Sequence, residues 1–205
     1  MAKIRVLVIE DHHATLEGVS IGLSRETDLE VVGTSENSTE GLALTKSLNP
    51  DVIVLDLHLP GALSPKAMVE EFARSTPAKL IVFSAENRLA LVQSCLAMGV
   101  AAYLLKSERV STLASIIRRV FAGEKGIMSE QLSLDCSRVT KAEEEILSML
   151  ANGLRYQEIA DARLTAASTV RKQCDMLLLK LGLDSREKLI AWAVRNGYGT
   201  LGVKS

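Results

Sequence analysis

The chain has 205 residues, 47% hydrophobic and 24% charged, with a formal net charge of −1. That length supports one large domain or two small ones, each with its own core, and that apolar content excludes a disordered chain. No apolar run approaches a bilayer span, and the N-terminal MAKIRVLVIE reads as a strand rather than a signal peptide, so the expected location is the cytoplasm, with no membrane partner.

In chain order, five short apolar runs read as strands: Ile4–Ile9, Leu29–Val32, Val52–Leu55, Leu80–Phe83 and Ala101–Leu105. They are apolar throughout rather than alternating, as befits parallel strands covered on both faces. Helical spacing fills the gaps, in Leu16, Val19 and Leu23, in Leu89, Val92 and Leu96, and in Leu113, Ile116, Ile117, Val120 and Phe121. Strands alternating with helices predict an α/β doubly wound, five-stranded parallel sheet over residues 1–122. Ser64-Pro65 has the form of an N-cap followed by proline at the first helical position. GEKGIMSEQLSLDCSR has two glycines and no clear period, and residues 123–138 read as a linker. Thr140 and Glu143 have capping-box spacing and open a small all-α domain over 139–205, with helices near 141–151, 156–163, 168–181 and 185–195.

Charge divides unevenly. Residues 1–137 carry 13 basic and 17 acidic side chains, and residues 138–205 carry 11 and 8, giving −4 and +3. Only the C-terminal part has the sign to face a polyanion. Cys95, Cys136 and Cys174 lie about forty residues apart, a spacing that suits neither a disulfide framework nor a zinc cluster, and they read as small buried hydrophobes.

In an open parallel sheet, ligands bind beyond the carboxyl ends of the strands, where the strand order reverses. Glu10 and Asp11 follow the first strand, Asp56 the third, Ser84 the fourth and Lys106 the fifth. Three carboxylates gathered at one edge repel one another unless a cation lies among them, and an all-oxygen donor set suits magnesium. A carboxylate on a metal, beside an ammonium and a hydroxyl, suits phosphoryl transfer: Asp56 attacks phosphorus, while magnesium, Lys106 and Ser84 hold the equatorial oxygens.

VLVIEDHH, VIVLDLHLPG, VFSAEN and AAYLLKS resemble the receiver domain of bacterial two-component response regulators. VTKAEEEILSMLANGLRYQEIA and TVRKQCDMLLLKLGL resemble the LuxR-type helix-turn-helix, and the order is that of the NarL/FixJ class. The resemblance implies a sensor histidine kinase as phosphoryl donor, and magnesium on Asp11, Asp56 and the main-chain carbonyl of His58, with Glu10 nearby. It implies that Tyr103 can swing inward when the Ser84 hydroxyl engages phosphate, and that the protein is no enzyme beyond its own phosphotransfer and dephosphorylation. It further implies promoter DNA as a partner, with Thr169, Arg171, Lys172 and Gln173 placed to reach it, and a homodimer when phosphorylated or DNA-bound.

Three other functions are open to weighing. An aspartyl phosphatase on a similar sheet wants a second acid two residues after the nucleophile, where this chain has His58; a flavin protein wants a phosphate loop where EDHHATLEG offers acids. A receiver whose C-terminal domain binds protein rather than DNA draws support from the unusual helix-turn-helix. Arg155 stands where a capping serine is usual, and Gln173 where histidine is usual. Around the turn two registers compete. In the first, Arg163, Thr165 and Ala166 take the usual leucine, isoleucine and serine places. In the second, which the cost of burying an unpartnered arginine favours, Leu164 fills the apolar place and Thr165 or Ser168 caps the next helix. Either way, DNA binding is expected to be weak, dominated by phosphate contacts and steeply salt-dependent.

Overall fold

A computed structural model describes residues 2–60, 63–132 and 139–200. The chain divides into two compact units, Met1–Asn87 with Val92–Ser129, and Arg88–Leu91 with Glu130–Ser205.

In the first unit, strands β1 (Ile4–Ile9), β2 (Leu29–Ser35), β3 (Val52–Leu55), β4 (Lys79–Ser84), β5 (Ala102–Leu105) and β6 (Ile127–Met128) form one parallel sheet, ordered β2-β1-β3-β4-β5-β6. Helices α1 (His13–Ser24), α2 (Ser38–Leu48), α3 (Pro65–Ser75), α4 (Leu89–Ala97) and α5 (Val110–Phe121) connect the strands, α4 belonging to this unit from Val92 onward. Val6, Leu7, Val52, Ile53, Ile81 and Val82 are fully buried, which explains why these strands read as continuous apolar runs. On one face Val8, Val54, Phe83 and Leu104 pack with Leu16, Val19 and Leu23 of α1 and Leu113, Ile117 and Val120 of α5. Gly41 lets α2 close onto the other face, since a Cβ there would lie 2.7 Å from Ile9 Cδ1. Phe121, read as part of the α5 core face, is instead half exposed in the last turn of the helix.

The sheet has six strands rather than five. The extra strand lies in the segment read as a linker, where two residues are too few for a periodic signal. Ile127 N donates to Ala101 O and Ser129 N to Tyr103 O, and Ser129 Oγ accepts from Leu105 N at 2.9 Å. Ser129 is buried, so its side chain extends the β6 pairing beside the strand that carries Tyr103. Residues 133–138 of the expected linker, including Cys136, lie outside the described residues.

The second unit is helical: α6 (Lys141–Ala151), α7 (Tyr156–Ala162), α8 (Ala167–Leu181), α9 (Arg186–Arg195) and a 3-10 turn, Tyr198–Thr200. Its core gathers Ile146, Leu147, Leu150, Ile159, Val170, Cys174, Leu177 and Leu189. The Thr140–Glu143 capping box forms in full, and Ser64 Oγ accepts from Ala67 N ahead of Pro65, as their spacing requires. Trp192 is half-buried and stacks on Tyr198 with ring centroids 6.0 Å apart. No helix among the described residues is long and apolar enough to cross a membrane.

Candidate functional site: an acidic sheet edge and a helix-turn-helix face

Strand order reverses between β1 and β3, so their carboxyl ends open the crevice in which doubly wound folds bind ligands. Parallel pairing of Ile9 with Leu55 aligns the two ends, and Asp56 N donates to Ile9 O at 2.9 Å. Asp56 and Glu10, the next residue after each strand, therefore arrive side by side. Asp56 is 1% exposed and Glu10 3%. Parallel β4 and β5 deliver Ser84 and Lys106 to the same edge, with Lys106 N bonded to Ser84 O.

Lys106 Nζ lies 3.0 Å from Asp56 Oδ2 and 2.7 Å from Glu10 Oε2. Burial works against its charged form, but the hydrogen bonds to Glu10 and Asp56 and the field of both carboxylates outweigh that, and the ammonium titrates above the ordinary lysine value. The other Asp56 oxygen accepts from Leu57 N at 2.7 Å. Asp11 is more open, and the His12 ring lies between the two acids, its Nδ1 2.9 Å from Asp11 Oδ1 and 3.1 Å from Glu10 Oε1. Glu10, Asp11, His12 and Asp56 each offer an atom within 4.8 Å of the others. Three carboxylates there face the Lys106 ammonium, an all-oxygen donor set of the kind that suits a hard divalent cation.

Ser84 is fully buried; its Oγ lies 3.5 Å from His58 Nδ1 and accepts from Glu86 N at 3.4 Å. Tyr103 is also fully buried and donates its hydroxyl to Glu86 O at 2.9 Å. The sequence singled out neither the His58–Ser84 approach nor the Tyr103–Glu86 bond, since no local spacing signals a contact across 26 or 17 residues. The two described cysteines, Cys95 and Cys174, are buried, and desolvation pushes the Cys95 thiol up to about 12, which suits an inert packing role.

In the helical unit, α7 and α8 form the helix-turn-helix. Neither Arg155 nor Ala166 caps its helix with a side chain; Glu158 Oε2 instead accepts from Arg155 N at 2.6 Å. The turn takes the first register, and the second is overturned. Leu164 does not fill an apolar place: it is 95% exposed, with φ of 51°. Arg163 occupies the inner place because it finds partners there. Its Nη1 donates to Gln173 Oε1 at 3.2 Å, and Glu145 lies 3.6 Å from its Nε. Of the residues expected to reach DNA, Thr169, Arg171 and Lys172 are exposed together on α8, while Gln173 is half-buried under Arg163.

An acidic edge with a lysine at the switch point of a doubly wound sheet, followed by a helix-turn-helix, defines a class: signalling regulators in which a receiver governs an effector domain. Residues 6–118 match the response regulator receiver domain, and residues 137–193 match the bacterial regulatory proteins of the luxR family. The nitrate/nitrite response regulator NarL of Escherichia coli K12 is 31% identical over 91% of this chain and 93% of its own length. The transcriptional regulatory protein DesR of Bacillus subtilis is 29% identical over 95% and 98%. RcsB of Salmonella typhimurium shares the fold, with a TM-score of 0.66 at 23% identity, covering 95% of this chain and all of that one. This chain belongs to the bacterial two-component response regulators with a receiver domain and a LuxR-type helix-turn-helix.

Proposed function

We propose that Asp56 accepts a phosphoryl group from the phosphohistidine of a sensor histidine kinase, and that the helical domain then controls transcription by binding promoter DNA in the cytoplasm. The observation that carries this reading is Lys106 Nζ held between buried Asp56 and Glu10 at the sheet's switch point. In the transfer, an Asp56 carboxylate oxygen forms a bond to phosphorus as the bond to the donor histidine nitrogen breaks. Asp11, Asp56 and the main-chain carbonyl of His58 would hold magnesium, with Glu10 nearby; when bound, the ion neutralises charge on the transferring oxygens. Lys106 then pairs with a phosphoryl oxygen, and Ser84 donates its hydroxyl to another, leaving its present neighbours His58 and Glu86. Because Tyr103 is bonded to Glu86, a change at Ser84 is carried to the β4–α4 loop. Thr169, Arg171 and Lys172 meet the DNA, and a two-fold operator calls for a homodimer.

With magnesium and acetyl phosphate, the wild type should be labelled once and Asp56→Asn not at all; equal labelling of the variant overturns the acceptor assignment. EDTA should abolish the reaction. A second reading, in which the helical domain binds a protein, draws on its exposed Leu164, Met176 and Leu179, at 95%, 63% and 78%. It takes over if no duplex is bound at low salt even with beryllofluoride.

A further inference from the structure

On α8 the buried residues Val170, Cys174 and Leu177 form one stripe. At 3.6 residues per turn, the line opposite runs through Ser168, Lys172 and Leu179, and Asp175 projects between Arg171 and Lys172 around the helix axis. All five are exposed. An acid therefore shares the exposed face of α8 with the basic pair, one turn beyond Arg171 and Lys172, on the second helix of the helix-turn-helix. Gln173, a neutral amide, lies off this face by its helical position, where it is half-buried and accepts from Arg163 Nη1 at 3.2 Å.

A carboxylate is an acceptor only. Near phosphates it is repelled, and against most base edges it meets guanine N7 and O6, adenine N7 or thymine O4, all acceptors. The cytosine N4 amino group is the edge that presents a donor alone. We propose that Asp175 is a specificity-determining residue of the helix-turn-helix: it selects a cytosine at one fixed position of each half-site and lowers affinity for all other DNA. This rests on the DNA-binding reading above. Arg171 and Lys172 supply attraction to phosphate, and Asp175 converts part of it into discrimination by penalising the wrong base.

The test is selection from random duplex DNA by the full-length protein with magnesium and beryllofluoride, for wild type, Asp175→Asn and Asp175→Ala. Asp175 is exposed, and circular dichroism checks that each variant keeps its helices. Wild type should enrich cytosine at one position per half-site roughly tenfold over the other bases. Asp175→Ala should lose that preference while keeping the others, and should bind scrambled duplex several-fold more tightly at low salt. Asp175→Asn should shift the position toward adenine, which its amide can read in bidentate fashion. Recovery of the same site by all three proteins overturns the role of Asp175 but leaves DNA binding standing. Failure of wild type to bind any duplex at low salt overturns both.

Discussion

Lys106 shows how much one residue can settle. Its ammonium is the counter-ion of two buried carboxylates, so neither acid is buried alone. Glu10, one methylene longer than aspartate, can reach Lys106 at 2.7 Å while Asp11 stays near the opening. Arg118 does a comparable job in the open. It bonds Asp28 through Nε and Nη2 at 2.7 Å each, and Glu26 at 2.6 Å, tying α5 to the turn before β2. The hydrogen bonds from Arg118 hold the Asp28 carboxyl at about 2, below its ordinary 3.8. A depressed carboxyl adds stability above its unfolded value and loses it as pH falls through the folded one, so this tie weakens between about 3.8 and about 2. In Arg118→Ala, Asp28 should titrate near 3.8, as followed by carboxyl carbon NMR; because the pair is exposed, the change in stability at pH 7 should be small.

At the scale of elements, side chains complete both β6 and the helix-turn-helix turn. Ser129 Oγ takes the Leu105 N–H, which a sheet edge would otherwise leave to water or to another strand. Ser129→Ala leaves that buried donor unpaired and should cost about 1–3 kcal/mol, read as a lower urea midpoint of the receiver transition. Since β6 pairs with Ala102 and Tyr103, the same variant should also loosen the strand that carries Tyr103. In the helical domain Arg163 is 18% exposed on its side chain and depends on Gln173 and Glu145. Gln173→Ala should destabilise that domain by about 1 kcal/mol, whereas Arg163→Leu, which puts an apolar group in a largely buried place, should be neutral or stabilising. A thermal melt followed at Trp192 separates the two outcomes.

For the whole molecule, the division of charge into −4 and +3 puts any attraction to a polyanion on the helical domain. Two phosphate contacts from Arg171 and Lys172 should contribute about 1.8 to the slope of log affinity against log salt. Arg171→Ala with Lys172→Ala should flatten the slope by about that amount and weaken binding to all sequences alike, measured by fluorescence anisotropy between low and physiological salt. A loss confined to one sequence would assign the pair to base edges instead.

Strand runs, helix periods, Ser64-Pro65, the Thr140–Glu143 box and the five charged or hydroxylic residues at strand ends were all legible in the amino-acid sequence. Each is a local pattern whose period or spacing is imposed by the backbone itself. The sixth strand was not, because two residues carry no period and their pairing depends on a partner about 25 residues away. The register of the turn before α8 is not legible in the sequence for a related reason. Arginine in an inner place is costly only when unpartnered, and the partners, Gln173 and Glu145, lie 10 and 18 residues away in sequence. Leu164, apolar and adjacent, looked the better occupant, yet its backbone takes the left-handed turn and leaves its side chain in solvent. Sequence alone determined which residues could form the acidic edge and the helix-turn-helix. Tertiary structure decided which of them meet, because burial is tolerated or refused according to partners that the fold supplies from far along the chain.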